Sequence, residues 1–449
     1  MIPTTRDAYR LLHQGARALA RVESSGIRVD SHYLDSAIIE AGKKIVQLEK
    51  ELMTSEIAAE WRKMFGYSIN IQSREQLGRV LSDVLKLDLP KTKSGRVSTD
   101  ERSLAGLDNP FVKAYLGLAR FKKARSTYLV GLRREVVDGY VHPFFNLHTV
   151  QTYRSSSDSP NFQNFPARDK EMRNLIRRAF VPRPGRRLVE VDFGGIEVRV
   201  AACYHRDPAM LAYIHDPSKD MHRDMAAQCF CIPESEVTKE LRYAAKSFFV
   251  FAQFYGDYYG HCAPKLWESI AENKTVSGVS VRKLLRQEKG IKELGDVECP
   301  RGSFMAHIKC VQDDFWGRRF PVYGRWRKEW VKLYERSGQL RLLTGFICRG
   351  LKRKNEIINY PIQGSAFHCL LWSLIRIVLV ELKKRKLKSL IVGQIHDSLV
   401  GDVPEEEIEA FEAMVTEIMT EVLPSEWRWI IVPLTIEITK YSHSWAESD

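Results

Sequence analysis

The sequence predicts an α+β fold in which helices surround a small sheet. Three observations predict it. Helical periodicity dominates 6–136 and 203–340, RRLVEVDF (186–193) reads as a buried strand, and a hairpin pattern at 389–403 precedes a final strand at 429–438. Strands so distant in sequence cover their apolar residues by assembling into one sheet.

In chain order, 6–23 has helical spacing of Tyr9, Leu11, Leu12, Ala16, Leu19 and Ala20. Residues 33–65 continue as a long amphipathic helix ending near Gly66. Ser73 with Gln76 three residues on caps a helix over 73–87. Residues 88–99 are a basic loop with Pro90 and Gly95, and helix resumes over 100–136. From Gly139 the pattern turns to short strands and turns, including SSSDSPN (155–161). Residues 203–290 and 303–340 are mainly helical, joined near 295–302. A long helix covers 362–386 and an acidic amphipathic helix 404–422. No internal repeat or low-complexity tract interrupts the chain.

With 449 residues, 44% of them hydrophobic and 10% aromatic, the chain can bury a substantial core, either as about three units or as one large body with subdomains. The net charge of +13 is clustered, as in 173–187 and 383–388. Such clusters favour a polyanionic partner, nucleic acid before membrane. Eight cysteines are scattered, and Cys229-x-Cys231 lacks the second pair a zinc site needs. They read as reduced thiols of an intracellular protein. The N-terminus has no apolar signal core, and the longest apolar run, Cys369 to Leu382, is broken by Arg376 and is short for a bilayer. The expectation is a soluble protein with no membrane partner.

Two carboxylates stand at strand ends. Asp192 closes an apolar run and is followed by Gly194-Gly195, where backbone can approach a ligand closely. Asp397 lies at the turn of GQIHDSLVGDV. If the two strands are neighbours, the pair suits Mg²⁺, a hard cation completed by water and phosphate oxygens, and two such ions can serve phosphoryl transfer. Taken singly, each aspartate equally suits a turn. In LRYAAKSFFVFAQFYG (241–256), Arg242 and Lys246 share a helical face ahead of Phe248, Phe249, Phe251, Phe254 and Tyr255. Cations for phosphate followed by rings for a base fit a nucleotide, and so does an amphipathic core helix with solvated cations. His222 and Arg223 are further phosphate candidates.

Together these stretches resemble the family A DNA polymerases. DFGGIEVRVAA (192–202) and QIHDS are similar to the two palm motifs, and RYAAKSFFVFAQFYG to the fingers helix. TYRSSSDSPNFQNFP (152–166), LLTGFICRG and NYPIQGSAFH (359–368) resemble supporting segments in the same order. The resemblance implies a right-hand polymerase with an antiparallel-sheet palm and mainly helical thumb and fingers. Its segments would be an N-terminal palm-associated piece (1–39), thumb (40–137), palm (138–202), fingers (203–345) and palm again (346–449).

The same resemblance implies primer extension with dNTPs by two-metal nucleotidyl transfer, with Mg²⁺ as cofactor and Mn²⁺ as substitute. Asp192 and Asp397 would be the metal ligands, assisted by the Phe193 carbonyl. Arg242, Lys246 and His222 would hold the triphosphate, with Lys246 assisting the pyrophosphate leaving group. Glu197 would sit near the sugar, and Phe251 and Tyr255 at the nucleotide. Arg154, Asn359, Gln363 and His396 would contact primer-template DNA. The alternatives are a related enzyme using an RNA template or ribonucleotides, and a non-catalytic nucleic-acid-binding factor.

Three departures stand out. The fingers helix has one extra residue between Lys246 and Tyr255-Gly256. At about 100° per residue, Phe251 then misses the lysine face by roughly 140°. A π-bulge restores Phe251 to the nucleotide side; without one, Val250 takes that place. Tyr153 replaces a glycine before Arg154, and Ser398 stands where many members have glutamate. Asp-x-Glu occurs only at 169–171 and 296–298, so no proofreading is expected. The reading is of a monomer, with processivity or exonuclease function left to partner proteins. It would work in the cytoplasm of a bacterial or phage-infected cell, or in a DNA-containing organelle.

Overall fold

The computed structural model describes residues 3–447 except 88, 93, 106, 167, 168, 297, 299 and 300. Parts of the expected basic loop 88–99, the join 295–302, the Asp296–Glu298 motif and Cys299 therefore lie outside the described residues.

The centre is a four-stranded antiparallel sheet. Its strands are β1 (Arg186–Phe193), β2 (Leu390–Ile395), β3 (Ser398–Pro404) and β4 (Ile436–Tyr441), in spatial order β4-β1-β3-β2. The distant strands do form one sheet. Along β1 the residues alternate: Val189, Val191 and Phe193 are buried in one apolar cluster, and Leu188 in another on the opposite face.

The final strand starts seven residues later than the sequence reading placed it. Residues 429–435 are irregular, because Pro433 has no N–H for a ladder and the Pro433 carbonyl instead accepts from Arg199 Nη1 at 2.5 Å.

The long helix also differs from expectation. It begins at Lys354, not 362, and runs to Lys384 with Pro361 inside it. Proline removes the N–H that would bond the Ile357 carbonyl. Trp330 Nε1 donates to that carbonyl instead, at 3.1 Å. This helix is long and apolar enough to cross a bilayer, contrary to the reading of its apolar run as short. Here 72% of its most apolar window is covered by protein.

Packing divides the rest. The helices Ser31–Met53 and Pro110–Lys123, with the segments between them, enclose a cluster around Trp61, Leu77, Leu81 and Phe111. The expected single helix over 33–65 is broken at Thr54-Ser55, where Ser55 caps a new helix by accepting from the Ala58 N–H. A separate cluster holds Leu241, Phe249, Leu266, Phe304 and Phe315 within 202–323.

Candidate active site

The two aspartates meet at one end of the sheet. Asp192 is the cross-strand partner of Ser398, and the Phe193 N–H donates to the Asp397 carbonyl at 3.3 Å. Asp397 occupies a two-residue hairpin turn with His396, whose φ is 50°. A positive φ at the first turn residue matches the twist of the strands. The turn is braced from below. Gln394 Nε2 donates to the His396 carbonyl at 2.8 Å, and its Oε1 accepts from Ser155 Oγ (2.6 Å) and Gln163 Nε2 (3.1 Å).

Asp192 is half-buried, and its Oδ1 is buried without a hydrogen-bond partner. Burial first, then the charges of Asp397, Glu190 and Glu437, push its carboxyl up to about 7. A buried orphan oxygen beside a second carboxylate fits a divalent cation, which would supply the missing partner and neutralise the pair. Among the described residues no third His, Cys, Asp or Glu is placed to share that ion.

After β1, the chain turns sharply into the helix Ile196–His205. A side chain at Gly194 would meet Thr435 Oγ1 at 2.5 Å, so the close approach of the segment leading into β4 favours glycine there. That helix carries Glu197 into a cavity of about 600 Å³ lined also by Arg154, Phe251, Tyr255, Asn359, His396 and Asp397. Glu197 is doubly held: Tyr255 Oη donates to one oxygen at 2.5 Å and Arg154 Nη2 lies 3.2 Å from the other. Asn359 Nδ2 donates to the Tyr255 carbonyl at 3.0 Å.

The extra residue of the helix after Arg242 is absorbed by a π-helical turn over Lys246–Val250. Phe251 therefore lines the cavity, and Val250 is fully buried in the core. Lys246 Nζ sits 5.3 Å from the Phe251 ring centroid and His222 packs edge-on to it at 5.6 Å. Arg242 is paired with Asp220 at 2.6 Å. Burial, then Arg242 and Lys246, lower His222 to about 4. With the imidazole neutral and Arg242 paired with Asp220, Lys246 supplies the positive charge that an anion would meet here.

The structure thus gathers Arg154, Glu197, Phe251, Tyr255, Asn359, His396 and Asp397 around one cavity, with Asp192 beside it and the His222–Arg242–Lys246 group behind Phe251. Gln363, one turn beyond Asn359 on the long helix, is half-buried and does not line the cavity. The Phe193 ring is buried in the core. Met210 and Tyr323 line the cavity and carried no sequence signal, since Met210 sits on a short, largely apolar helix and Tyr323 on an ordinary amphipathic one. Tyr153, with φ 59°, is stabilised by a 2.6 Å hydrogen bond from its hydroxyl to the Ile347 carbonyl and by the Phe346 ring.

The sequence pattern of DNA polymerase family A matches residues 41–447. The chain belongs to that family. A thermostable DNA polymerase I of Thermus filiformis is 30% identical over 94% of this chain and 46% of its own length. A DNA polymerase I of Bacillus subtilis is 29% identical over 96% of this chain and 45% of its own. The chain spans a little under half the length of these relatives. Among solved structures, the POL domain of Pol1 from M. smegmatis, in complex with DNA primer-template and dNTP, has a TM-score of 0.74 at 26% identity. The match covers 96% of this chain and 70% of that one. The expected fold, a right-hand polymerase of α+β class, is the fold observed.

Within this family A fold, the Asp-x-Glu at 169–171 is structural. Asp169 caps the helix Lys170–Arg177, accepting from the Met172 N–H at 3.2 Å, and pairs with Arg120 at 3.0 Å.

Proposed function

We propose that this chain is a template-directed DNA polymerase that extends a primer with dNTPs, using Mg²⁺. The observation that carries the reading is Asp192 at the end of one strand and Asp397 in the turn beside it, next to a nucleotide-sized cavity with Lys246 behind its Phe251 wall. Two bound Mg²⁺ ions would activate the primer hydroxyl and neutralise the leaving pyrophosphate, with Asp192 and Asp397 as their protein ligands.

The chain's own residues do the positioning. Lys246, Arg242 and His222 face the triphosphate, with Lys246 toward the leaving pyrophosphate. Phe251 and Tyr255 enclose the base, and Glu197 stands at the sugar. Arg154 and Asn359 are the primer-template contacts at the cavity, His396 lies at the primer terminus, and Gln363 reads the duplex beyond it. In this reading 40–137 is the thumb, 203–345 the fingers, and the four-stranded sheet the palm. The enzyme acts as a monomer and leaves a mismatched 3′ nucleotide in place.

Primer extension with Asp192→Asn and Asp397→Asn tests it. Extension is expected to fall at least 10³-fold while primer-template binding persists. Wild-type extension by either variant would sink the metal assignment. Parallel assays with NTPs and an RNA template separate the ribonucleotide and RNA-template readings, and a mismatched primer terminus tests the absence of excision.

A further inference from the structure

We propose that Glu190 is the third carboxylate of the metal centre, a positioning residue that acts through Ser398. The inference rests on the metal site proposed above and adds to it a group that the two-aspartate reading leaves out.

Glu190 lies two residues before Asp192 on β1, so the two side chains share one face of the sheet. Its cross-strand partner is Val400, and the partner of Asp192 is Ser398. Glu190 is thus the diagonal neighbour of Ser398, the residue that follows Asp397. The Ser398 hydroxyl is 3.2 Å from Glu190 Oε1 and 3.1 Å from the Ile395 carbonyl, with the serine 4% exposed. A hydroxyl has one proton, and an ionised carboxylate is the stronger acceptor.

The carboxylate is fixed from behind. Its Oε2 accepts from Tyr441 Oη and Trp445 Nε1, both at 3.0 Å. Arg177 approaches that oxygen only at 3.9 Å, with its guanidinium 4.0 Å from the centroid of the Trp445 ring. Two neutral donors and the Arg177 cation orient Glu190 through Oε2 and offset part of its charge. That charge stands beside the Asp192–Asp397 pair.

Glu190 is not a direct ligand, because both of its oxygens already have partners. It contributes in two ways: negative potential at the cation site, and a fixed hydroxyl at the base of the Asp397 turn. The acid stands on β1, and the Ser398 hydroxyl links it to the turn of the adjacent strand.

The test is Mn²⁺ binding to the full chain without DNA, followed by electron paramagnetic resonance. A unit charge several Å from the ion, in a partly solvated site, changes affinity by about tenfold. Glu190→Gln is expected to weaken Mn²⁺ by that factor, and the exchange variant E190S/S398E to restore it. Tyr441→Phe, which removes a donor and no charge, is expected to bind as wild type. Ser398→Glu alone is expected to strengthen binding, and it carries the test if Glu190→Gln does not fold.

Wild-type affinity in E190Q together with loss in D192N would overturn the role of Glu190 alone. Wild-type affinity in both would overturn the metal site beneath it. An equal loss in Y441F and E190Q would assign the effect to packing and overturn the proposal, as would unchanged affinity in S398E.

Discussion

Tyr255 and Glu197 are joined across the cavity by a 2.5 Å hydrogen bond, which ties the end of the cationic helix to the first turn after β1. Arg154 holds the other Glu197 oxygen, so the carboxylate is fixed from two elements at once. Tyr255→Phe leaves only the arginine contact. A positioned hydrogen bond to a charged group contributes about 1.5–3 kcal/mol. If Glu197 excludes ribose, the variant is expected to incorporate ribonucleotides at least tenfold more readily relative to dNTPs. The ratio of kcat/KM for the two substrates measures this, and an unchanged ratio removes Tyr255 from sugar selection.

The π-helical turn separates the roles of two neighbours. Val250 is fully buried in the core, and Phe251 faces the cavity. Val250→Ala is expected to cost about 1–3 kcal/mol of stability and leave the KM for dNTP within twofold. Phe251→Ala is expected to do the reverse, raising KM about tenfold with little loss of stability. Denaturant unfolding and steady-state kinetics on both variants check the assignment. The opposite pattern would mean that the register runs without the bulge.

These residues also show what the sequence made legible. The position of Asp192 at a strand end was readable because an apolar run ending in Asp and two glycines is a local signal. A residue count against 100° per step exposed the register conflict but left the bulge and Val250 as alternatives, and the π-turn decides for Phe251. The helix start was not readable, because Pro361 looks like a boundary until a distant tryptophan replaces its missing hydrogen bond. Nor was the brace by which Ser155 and Gln163 hold Gln394, more than 200 residues further along the chain. Met210 and Tyr323 reach the cavity only through the packing of their helices.

That substitute bond gives a stability prediction. Trp330 Nε1 is the donor to the Ile357 carbonyl that Pro361 leaves free. Trp330→Phe keeps an aromatic ring and leaves the carbonyl unpaired, at an expected cost of about 1–3 kcal/mol. Adding Pro361→Ala restores an N–H at that position and is expected to recover most of the loss. The double-mutant cycle in denaturant measures the coupling, and strict additivity would show that the two residues do not share the carbonyl.

Acid sensitivity follows from two buried histidines. His205 stacks on Tyr323 at 3.9 Å and accepts the Asp207 N–H at its Nδ1; His368 packs on Phe346 at 4.2 Å with Nδ1 2.7 Å from Thr344 Oγ1. Burial lowers both to about 3. Their folded values lie below the unfolded value near 6.5, so the unfolded state binds more protons between those limits. The contribution of each is therefore fully present above about pH 6.5 and is lost as pH falls toward 3. The slope reaches about 1.4 kcal/mol per pH unit for each histidine. Between about pH 6 and 4.5 His222, lowered to about 4, adds to the same slope and Asp192, raised to about 7, opposes it, so the two histidines supply only part of the fall. His205→Gln with His368→Gln is expected to flatten the fall of the urea midpoint across that window, whatever its absolute stability. A fall parallel to that of the unaltered chain would locate the acid-sensitive groups elsewhere.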